Sequence, residues 1–322
     1  MKPTLWKLTL VTACVCASGL AARAAALQRS DVSADPAWLL HLDCDSLRPT
    51  ALGQYLLSEM DKPEAKAKLA AFQSIVNFDL RNQLHGITLY GSSQAPADAV
   101  LMVYADFDAD HLVTLAEAAK DYQSRQHKQH VIHNWIDDKK QATNGVTPRV
   151  YAAIQGNRVI FGQREERVAA ALDVLDGTAP SLRSGKAFPD LGVAGNAHFI
   201  EAAARKMDLP ESDPNAAILK LSKGVQLVVG EKQKQFQGTL TLVADTDEVA
   251  GHLFSIAQGL VSLMKLQTNK PEAVRLANAI SLKQDGSKVL GSLILPSSDA
   301  VEIIKADAAR KAAAQAAKPA KE

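Results

Sequence analysis

Three closely spaced histidines are the residues of this sequence best suited to bind a metal ion. His127, His130 and His133 lie in the segment HKQHVIH and make up three of the eight histidines of the chain. Imidazole nitrogen is a common ligand for zinc, copper and nickel. The spacing is poor for a shared site, because steps of three spread the side chains around a helix and place His130 opposite the other two on a strand. The alternative interpretation is a polar helix end that enters an exposed strand.

Alternating acidic residues form a second candidate, which resembles part of a calcium-binding loop. Asp106, Asp108 and Asp110 alternate along the chain, and Glu117 stands at the twelfth position counted from Asp106. Such a loop needs glycine for its sharp turn at the position that His111 occupies. Helix capping explains the pattern without an ion, because Asp108 is well placed as an N-cap and Asp110 would lie in the first turn.

Signatures of catalysis and of cofactor binding are absent from the sequence. The chain has no G-x-S-x-G nucleophile motif and no G-x-G-x-x-G dinucleotide motif. Cys44 stands between Asp43 and Asp45, and flanking carboxylates raise the pKa of a thiol rather than activate it. We therefore predict no catalytic residue, no cofactor and no enzymatic activity, with Cys44 as a structural thiol.

One pattern occurs twice and suggests an internal repeat. The segments Gly86–Asp108 and Gly224–Asp247 each contain a glycine, an apolar run, a second glycine, a polar linker, and a second apolar run that ends in Ala-Asp-x-Asp. Each is predicted to form two antiparallel strands followed by a helix. A Gly156-Asn157 pair and an Asp285-Gly286 pair predict one further hairpin in each half. We interpret the apolar stripes of the two following helices, which begin at Leu112 and Val249, as core rather than as a lipid-binding groove.

The order of these elements predicts an α+β protein. It would consist of two pseudo-repeated modules of antiparallel sheet, each ordered hairpin–helix–hairpin–helix with the helices packed on one face. The two modules could form separate sheets or share one. The predicted boundaries are a signal peptide (1–24), a loose leader (25–36), a first module (37–177), a linker (178–195), a second module (196–305) and a disordered or frayed Ala/Lys-rich tail (306–322).

The first 24 residues predict export. Lys2 and Lys7 precede an uncharged apolar stretch, and Ala22-Arg23-Ala24 fits the small-x-small cleavage pattern. A lipobox-like Val11–Cys14 is the alternative interpretation. Removal of the three basic residues changes the formal net charge from +1 to −2, and no basic block argues for nucleic acid. No later segment is apolar enough to span a membrane. The predicted location is periplasmic or extracellular.

Several of these patterns together resemble a family of exported bacterial proteins of unknown function. They are the AWLLHLD segment Ala37–Asp43, the repeated Ala-Asp-x-Asp at Ala105–Asp108 and Ala244–Asp247, and the hairpin, helix and GTAPSL segment from Gln155 to Leu182. The resemblance implies the duplicated α+β architecture and no catalytic residues.

Three functions follow as hypotheses. The first is an exported non-enzymatic protein that acts as a binding or cell-envelope-associated module for an unknown protein. The second is a carrier of a small apolar ligand held between sheet and helices. The third is a metal-binding protein that uses the segment from His127 to His133.

Overall fold

A computed structural model describes residues 26–139, 147–192, 198–205 and 222–316. The predicted signal peptide therefore lies outside the described residues. The strands within the described ranges form a single antiparallel sheet of twelve. The strands are β1 (Trp38–Asp43), β2 (Leu84–Gly91), β3 (Ala99–Ala105), β4 (Gln123–His127), β5 (His130–Ile136), β6 (Arg149–Gln155), β7 (Arg158–Gly162), β8 (His198–Arg205), β9 (Ser222–Lys232), β10 (Gln235–Ala244), β11 (Ile280–Asp285) and β12 (Lys288–Pro296).

The helices begin where capping and proline chemistry predict. Thr50, Asp108 and Thr246 accept hydrogen bonds from the first turns of their helices, whereas Pro63 and Pro271 occupy the first helical positions of theirs. A short 3₁₀ turn (Pro96–Asp98) joins β2 to β3. The α-helices are α1 (Cys44–Leu47), α2 (Ala51–Met60), α3 (Pro63–Val76), α4 (Ala109–Glu117), α5 (Glu165–Leu175), α6 (Asp247–Lys265), α7 (Pro271–Ala279) and α8 (Ser297–Ala316).

The order of strands is β11-β12-β10-β9-β8-β1-β2-β3-β7-β6-β5-β4. Outward from the central β1–β8 pair, β1-β2-β3-β7-β6 and β8-β9-β10-β12-β11 are arranged alike. The first half adds β5 and β4 at its edge. The α+β class is confirmed, and of the two arrangements left open the structure has the single shared sheet. The predicted hairpin–helix–hairpin–helix order holds in the second half, whereas the first half has the additional hairpin β4–β5.

The first half of the sheet is covered on both faces. Residues Val168 and Leu172 of α5 are fully buried and cluster with Met102 of β3 and Ile160 of β7. Phe161, the next residue along β7, lies on the opposite face and lines the cavity beneath α4. The arrangement therefore differs from the expected single covered face, because apolar side chains of both parities on these strands need burial.

The second half is covered on one face, as predicted. Ala250 and Leu253 of α6 form a small core with Leu242 of β10 and Val289 of β12. Helices α7 and α8 lie beside α6, and Arg310 of α8 forms an ion pair with Glu272 of α7 at 2.8 Å. The tail that we expected to be frayed is thus helical through Ala316, since alanine-rich sequence and ion pairs favour a helix.

The predicted leader and linker are packed against each other and against the first core. Leu27 and Val32 of the leader and Leu182 and Leu191 of the linker are buried in that core. The guanidinium group of Arg29 donates hydrogen bonds to the carbonyl oxygens of Phe188 and Leu191 at 2.5 and 3.0 Å, and to those of Leu182 and Ala187. The expectation of a loose leader was wrong, because the partners of the leader are remote in sequence.

One predicted turn needs correction, and one strand was not predicted. The turn between β11 and β12 consists of Gly286-Ser287 rather than Asp285-Gly286, and Gly286 has the positive φ of +54° that a primed turn requires. The Gly156-Asn157 turn is confirmed, with φ of +59° at Gly156.

In addition, the polar strand β4 was not predicted at all. Among the described residues, no helix is long and apolar enough to cross a membrane.

Candidate functional site

Helix α4 is held over the sheet by contacts at its first turn. The side chain of Asp108 accepts a hydrogen bond from the backbone N–H of His111 at 3.1 Å, which confirms the predicted cap. The Nε2 atom of His111 lies 2.8 Å from the carbonyl oxygen of Ile75, near the end of α3, and donates to it. No residue of α4 is fully buried. The helix therefore lies over the sheet without the close packing that α5 makes on the other face.

An apolar cavity of about 270 Å³ lies between α4 and the sheet. The predicted stripe of α4 forms its roof, and residues of β5, β6 and β7 form its floor. Almost all of the lining atoms are carbon, and His133 is the one ionisable side chain among the lining residues. The lining residues are Val76, Leu112, Val113, Leu115, Ala116, Ala119, His133, Trp135, Ala152, Ala153, Ile154, Val159 and Phe161.

His133 supplies a polar group at the wall of this cavity. Its Nδ1 atom lies 2.9 Å from the hydroxyl oxygen of Tyr122, and the two rings are stacked with centroids 6.0 Å apart. Burial of the ring lowers the pKa of His133, an effect that the nearby Glu117 carboxylate opposes. The imidazole is therefore neutral at neutral pH, which suits an apolar cavity.

The three histidines of the candidate metal site do not converge. The Nε2 atoms of His127 and His130 lie 2.8 and 3.0 Å from carboxylate oxygens of Asp173 and Asp176 at the C-terminal end of α5. His133 lies on the opposite face of the sheet. Within the described ranges, no group of three or more His, Cys, Asp or Glu side chains is arranged to hold a metal ion.

The alternating aspartates are also separated by the fold. Asp106 contacts Nε2 of His85 at 3.0 Å, while Asp45 contacts Nδ1 of the same ring at 3.0 Å. Burial alone would lower the pKa of His85, but its hydrogen bonds to Asp106 and Asp45 outweigh that effect and raise the pKa. Asp108 caps α4. The carboxylate of Asp106 therefore pairs with His85, and that of Asp108 stabilises the start of a helix.

Cys44 has the structural role that its neighbours predicted, although the main cause is different. Burial is the largest effect and, with the carboxylates of Asp43 and Asp45, raises the pKa of the thiol to about 11, against the opposite influence of Arg48. The thiol is therefore protonated at neutral pH and a poor nucleophile.

The sheet floor of the cavity was missed by sequence reasoning. Trp135, Ile154 and Phe161 were assigned to strands but not to a site. A signal was present, because Val150–Ile154 is apolar at both parities, as is typical of a strand covered on both faces.

Comparisons with known proteins identify no family. No protein-family model matches the chain, and no curated protein matches it. Among solved structures, crystal form III of TP0453 is 11% identical, with a TM-score of 0.43, over 88% of this chain and 99% of that one. Crystal form IV of TP0453 is 10% identical, with a TM-score of 0.44, over 87% and 96% of the two chains. Likeness at this level carries no information on function.

Proposed function

We propose that this chain is an exported, non-enzymatic binding protein that carries an apolar ligand in the cavity beneath α4. The observation that carries the proposal is the lining of that cavity, which is almost entirely apolar and contains a single neutral imidazole. An engineered apolar cavity of about 150 Å³ stays free of water and binds benzene. A cavity of about 270 Å³ therefore has room for a larger apolar group.

The loose packing of α4 supports the same proposal. Its apolar residues Leu112, Leu115 and Ala116 are only partly buried although all three point toward the sheet, and the same holds for Ala119 just after the helix. When a ligand covers apolar surface that the protein leaves exposed, the complex is stabilised by about 25 cal/mol for each Å² removed from water. A bound ligand would therefore complete the packing between α4 and the sheet.

Export is the second part of the proposal and rests on the first 24 residues. The proposed compartment is the periplasm or the extracellular space, and the ligand would be one that meets the protein there. The first experiment is native mass spectrometry of the mature chain purified from the exported fraction. A carried ligand would appear as extra mass of several hundred daltons that is lost on denaturation.

A cavity-filling substitution tests the site itself. Ala116→Phe places a ring in the cavity, whereas Ala118→Phe places the same ring at the exposed C-cap of α4. We expect Ala116→Phe to abolish binding of an apolar fluorescent probe and to remove the extra mass, while Ala118→Phe keeps both. Equal binding by the two variants would contradict the proposed site. Reproducible turnover in a hydrolase screen, lost on a single substitution, would contradict the non-enzymatic role.

A further inference from the structure

The cavity beneath α4 continues into a row of apolar residues that crosses the open middle of the sheet. In the antiparallel ladder, Phe161 is paired with Leu101, Leu101 with Leu89, and Leu89 with Leu40. Paired residues on neighbouring strands point to the same face. These four side chains therefore form one line on the face that α4 covers, and Phe161 at its end also lines the cavity.

The line extends beyond β1 into the second half of the sheet. Leu40 is paired with Ala202, Ala202 with Leu227, and Leu227 with Leu240. Leu240 lies two residues before Leu242, which packs against α6, so the row stays on one face. The line thus crosses seven neighbouring strands in register.

The middle of this row is open. Leu40, Leu227 and Leu240 keep 43%, 36% and 41% of their surface exposed, although each lies inside a strand. On this face α4 contacts β5, α6 and α8 contact β10 and β12, and α2 begins beside Glu231 of β9 and packs against α8. This row of half-buried and exposed leucines, which we call the groove, leads from the cavity to the centre of the sheet.

The dimensions of the row match a single alkyl chain. Strands are spaced by about 4.8 Å, so Leu40 lies about 14 Å from Phe161 and Leu240 about 29 Å from it. A bilayer hydrocarbon core of about 30 Å holds two acyl chains end to end, so one chain spans about 15 Å. A chain whose end lies in the cavity would therefore reach Leu40 and stop far short of Leu240.

We infer that the ligand is a single-chain amphiphile, whose unbranched alkyl chain ends in the α4 cavity and runs over Leu101 and Leu89 to Leu40. This inference rests on the proposed function and names its ligand class. The polar head lies at the open centre of the sheet, where water solvates it. One residue per strand, all apolar and in line, offers a straight track that suits an unbranched chain and not a compact ring system.

A chain-length series tests the inference on the full mature protein. The probes are n-alkanoates of 8 to 18 carbons, which compete with a fluorescent apolar dye below their micelle concentrations. Burial of a methylene contributes about 0.8 kcal/mol, so a chain in a half-open groove should gain roughly twofold in affinity per methylene. We expect this rise to continue to about 16 carbons. A plateau at 8 to 10 carbons would overturn the groove and leave the cavity proposal intact, whereas no binding at any length would overturn both.

Two variants matched in exposure locate the chain. Leu40→Gln should weaken binding of the 16-carbon alkanoate about tenfold and leave the 8-carbon alkanoate unchanged. Leu240→Gln changes an equally exposed leucine of the same row that lies beyond the chain, and should leave both affinities unchanged. Equal losses from the two variants would overturn the placement. The wild type could also prove to be a dimer that Leu40→Gln dissociates, with no dependence of alkanoate affinity on chain length. That result would show that a second copy of the chain covers the groove, and it would also overturn the inference.

Discussion

Two buried histidines show how the environment of a residue sets its charge. His85 lies between the carboxylates of Asp45 and Asp106, which raise its pKa despite burial. His133 lies at the wall of an apolar cavity with Tyr122 as its hydrogen-bond partner, and burial lowers its pKa. The same side chain is thus favoured as a cation at one site and as a neutral group at the other.

The pKa of His133 predicts a loss of stability in acid. Unfolding returns the ring to its ordinary pKa of 6.5, so the unfolded chain binds the proton more readily than the folded chain. The stability associated with a neutral His133 is present above pH 6.5 and is lost as pH falls toward and through the lowered pKa. We expect the free energy of unfolding, measured with urea between pH 5 and pH 8, to fall toward the acid side in the wild type. His133→Gln should remove the part of this fall that is due to His133.

The control for this experiment is His252→Gln, which changes an exposed histidine of α6 and leaves His133 in place. It should keep the acid-side loss of the wild type. The same protonation would charge the cavity wall, so binding of the apolar dye should weaken over the same pH range. An acid-side slope that is identical in wild type and His133→Gln would rule out this role.

The raised pKa of Cys44 predicts low reactivity in the native state. At pH 8 a thiol with a pKa of about 11 contains about 100-fold less thiolate than one with the ordinary pKa of 9.0. Alkylation by iodoacetamide, followed by mass spectrometry, should therefore be about 100-fold slower in the folded chain than in urea. Equal rates in the two states would show that the thiol is not protected by the fold.

At the scale of elements, the apolar stripe of α6 divides into two parts. Leu253 is fully buried against β10 and β12, as expected of a core stripe. Ile256, Leu260 and Leu263, which continue the same helical pattern, are exposed, and Leu263 keeps 59% of its surface accessible. The interpretation of the whole stripe as core is therefore right only for its first turns.

This division predicts unequal effects of two identical substitutions. Leu253→Ala removes a buried side chain and should lower the free energy of unfolding by about 2–5 kcal/mol. Leu263→Ala removes an exposed one and should change it by no more than about 0.5 kcal/mol. Urea unfolding of both variants in parallel measures the difference. A large loss for Leu263→Ala would mean that the end of α6 is covered in solution.

For the whole molecule, the central pairing of β1 with β8 joins the two halves. The first core includes Leu39 of β1 and Ala203 of β8, which are direct partners in the sheet, and Val228 of β9 packs against it. A core that crosses the joint makes each half depend on the other for burial. The two predicted modules are thus parts of one sheet, although the internal repeat remains a prediction.

Shared burial predicts one cooperative unfolding transition. We expect calorimetry of the mature chain to show a single transition whose van't Hoff and calorimetric enthalpies agree. Substitution of Ala203 by aspartate in β8 should lower the midpoint of that one transition, since it places a charge in the shared core. Two separate transitions, of which Ala203→Asp shifted only one, would contradict the coupling.

The sequence by itself determined the features that depend on neighbouring residues. Capping predicts the helix that begins after Asp108, and proline geometry predicts the helices that begin at Pro63 and Pro271. The backbone freedom of Gly156 predicts the hairpin there. Alternation and helical spacing were enough for the α+β class. These signals are local, because each depends on residues within about one turn of helix or one strand length.

The tertiary structure decided what depends on residues far apart in the chain. Arg29 and Leu191 are separated by 162 positions, and nothing local shows that their segments pack together. The same holds for the pairing of Leu40 with Ala202, which makes one sheet, and for the cavity, whose roof and floor come from different elements. Burial is a property of surfaces that meet only in the folded chain, and periodicity shows which face is apolar without showing what covers it.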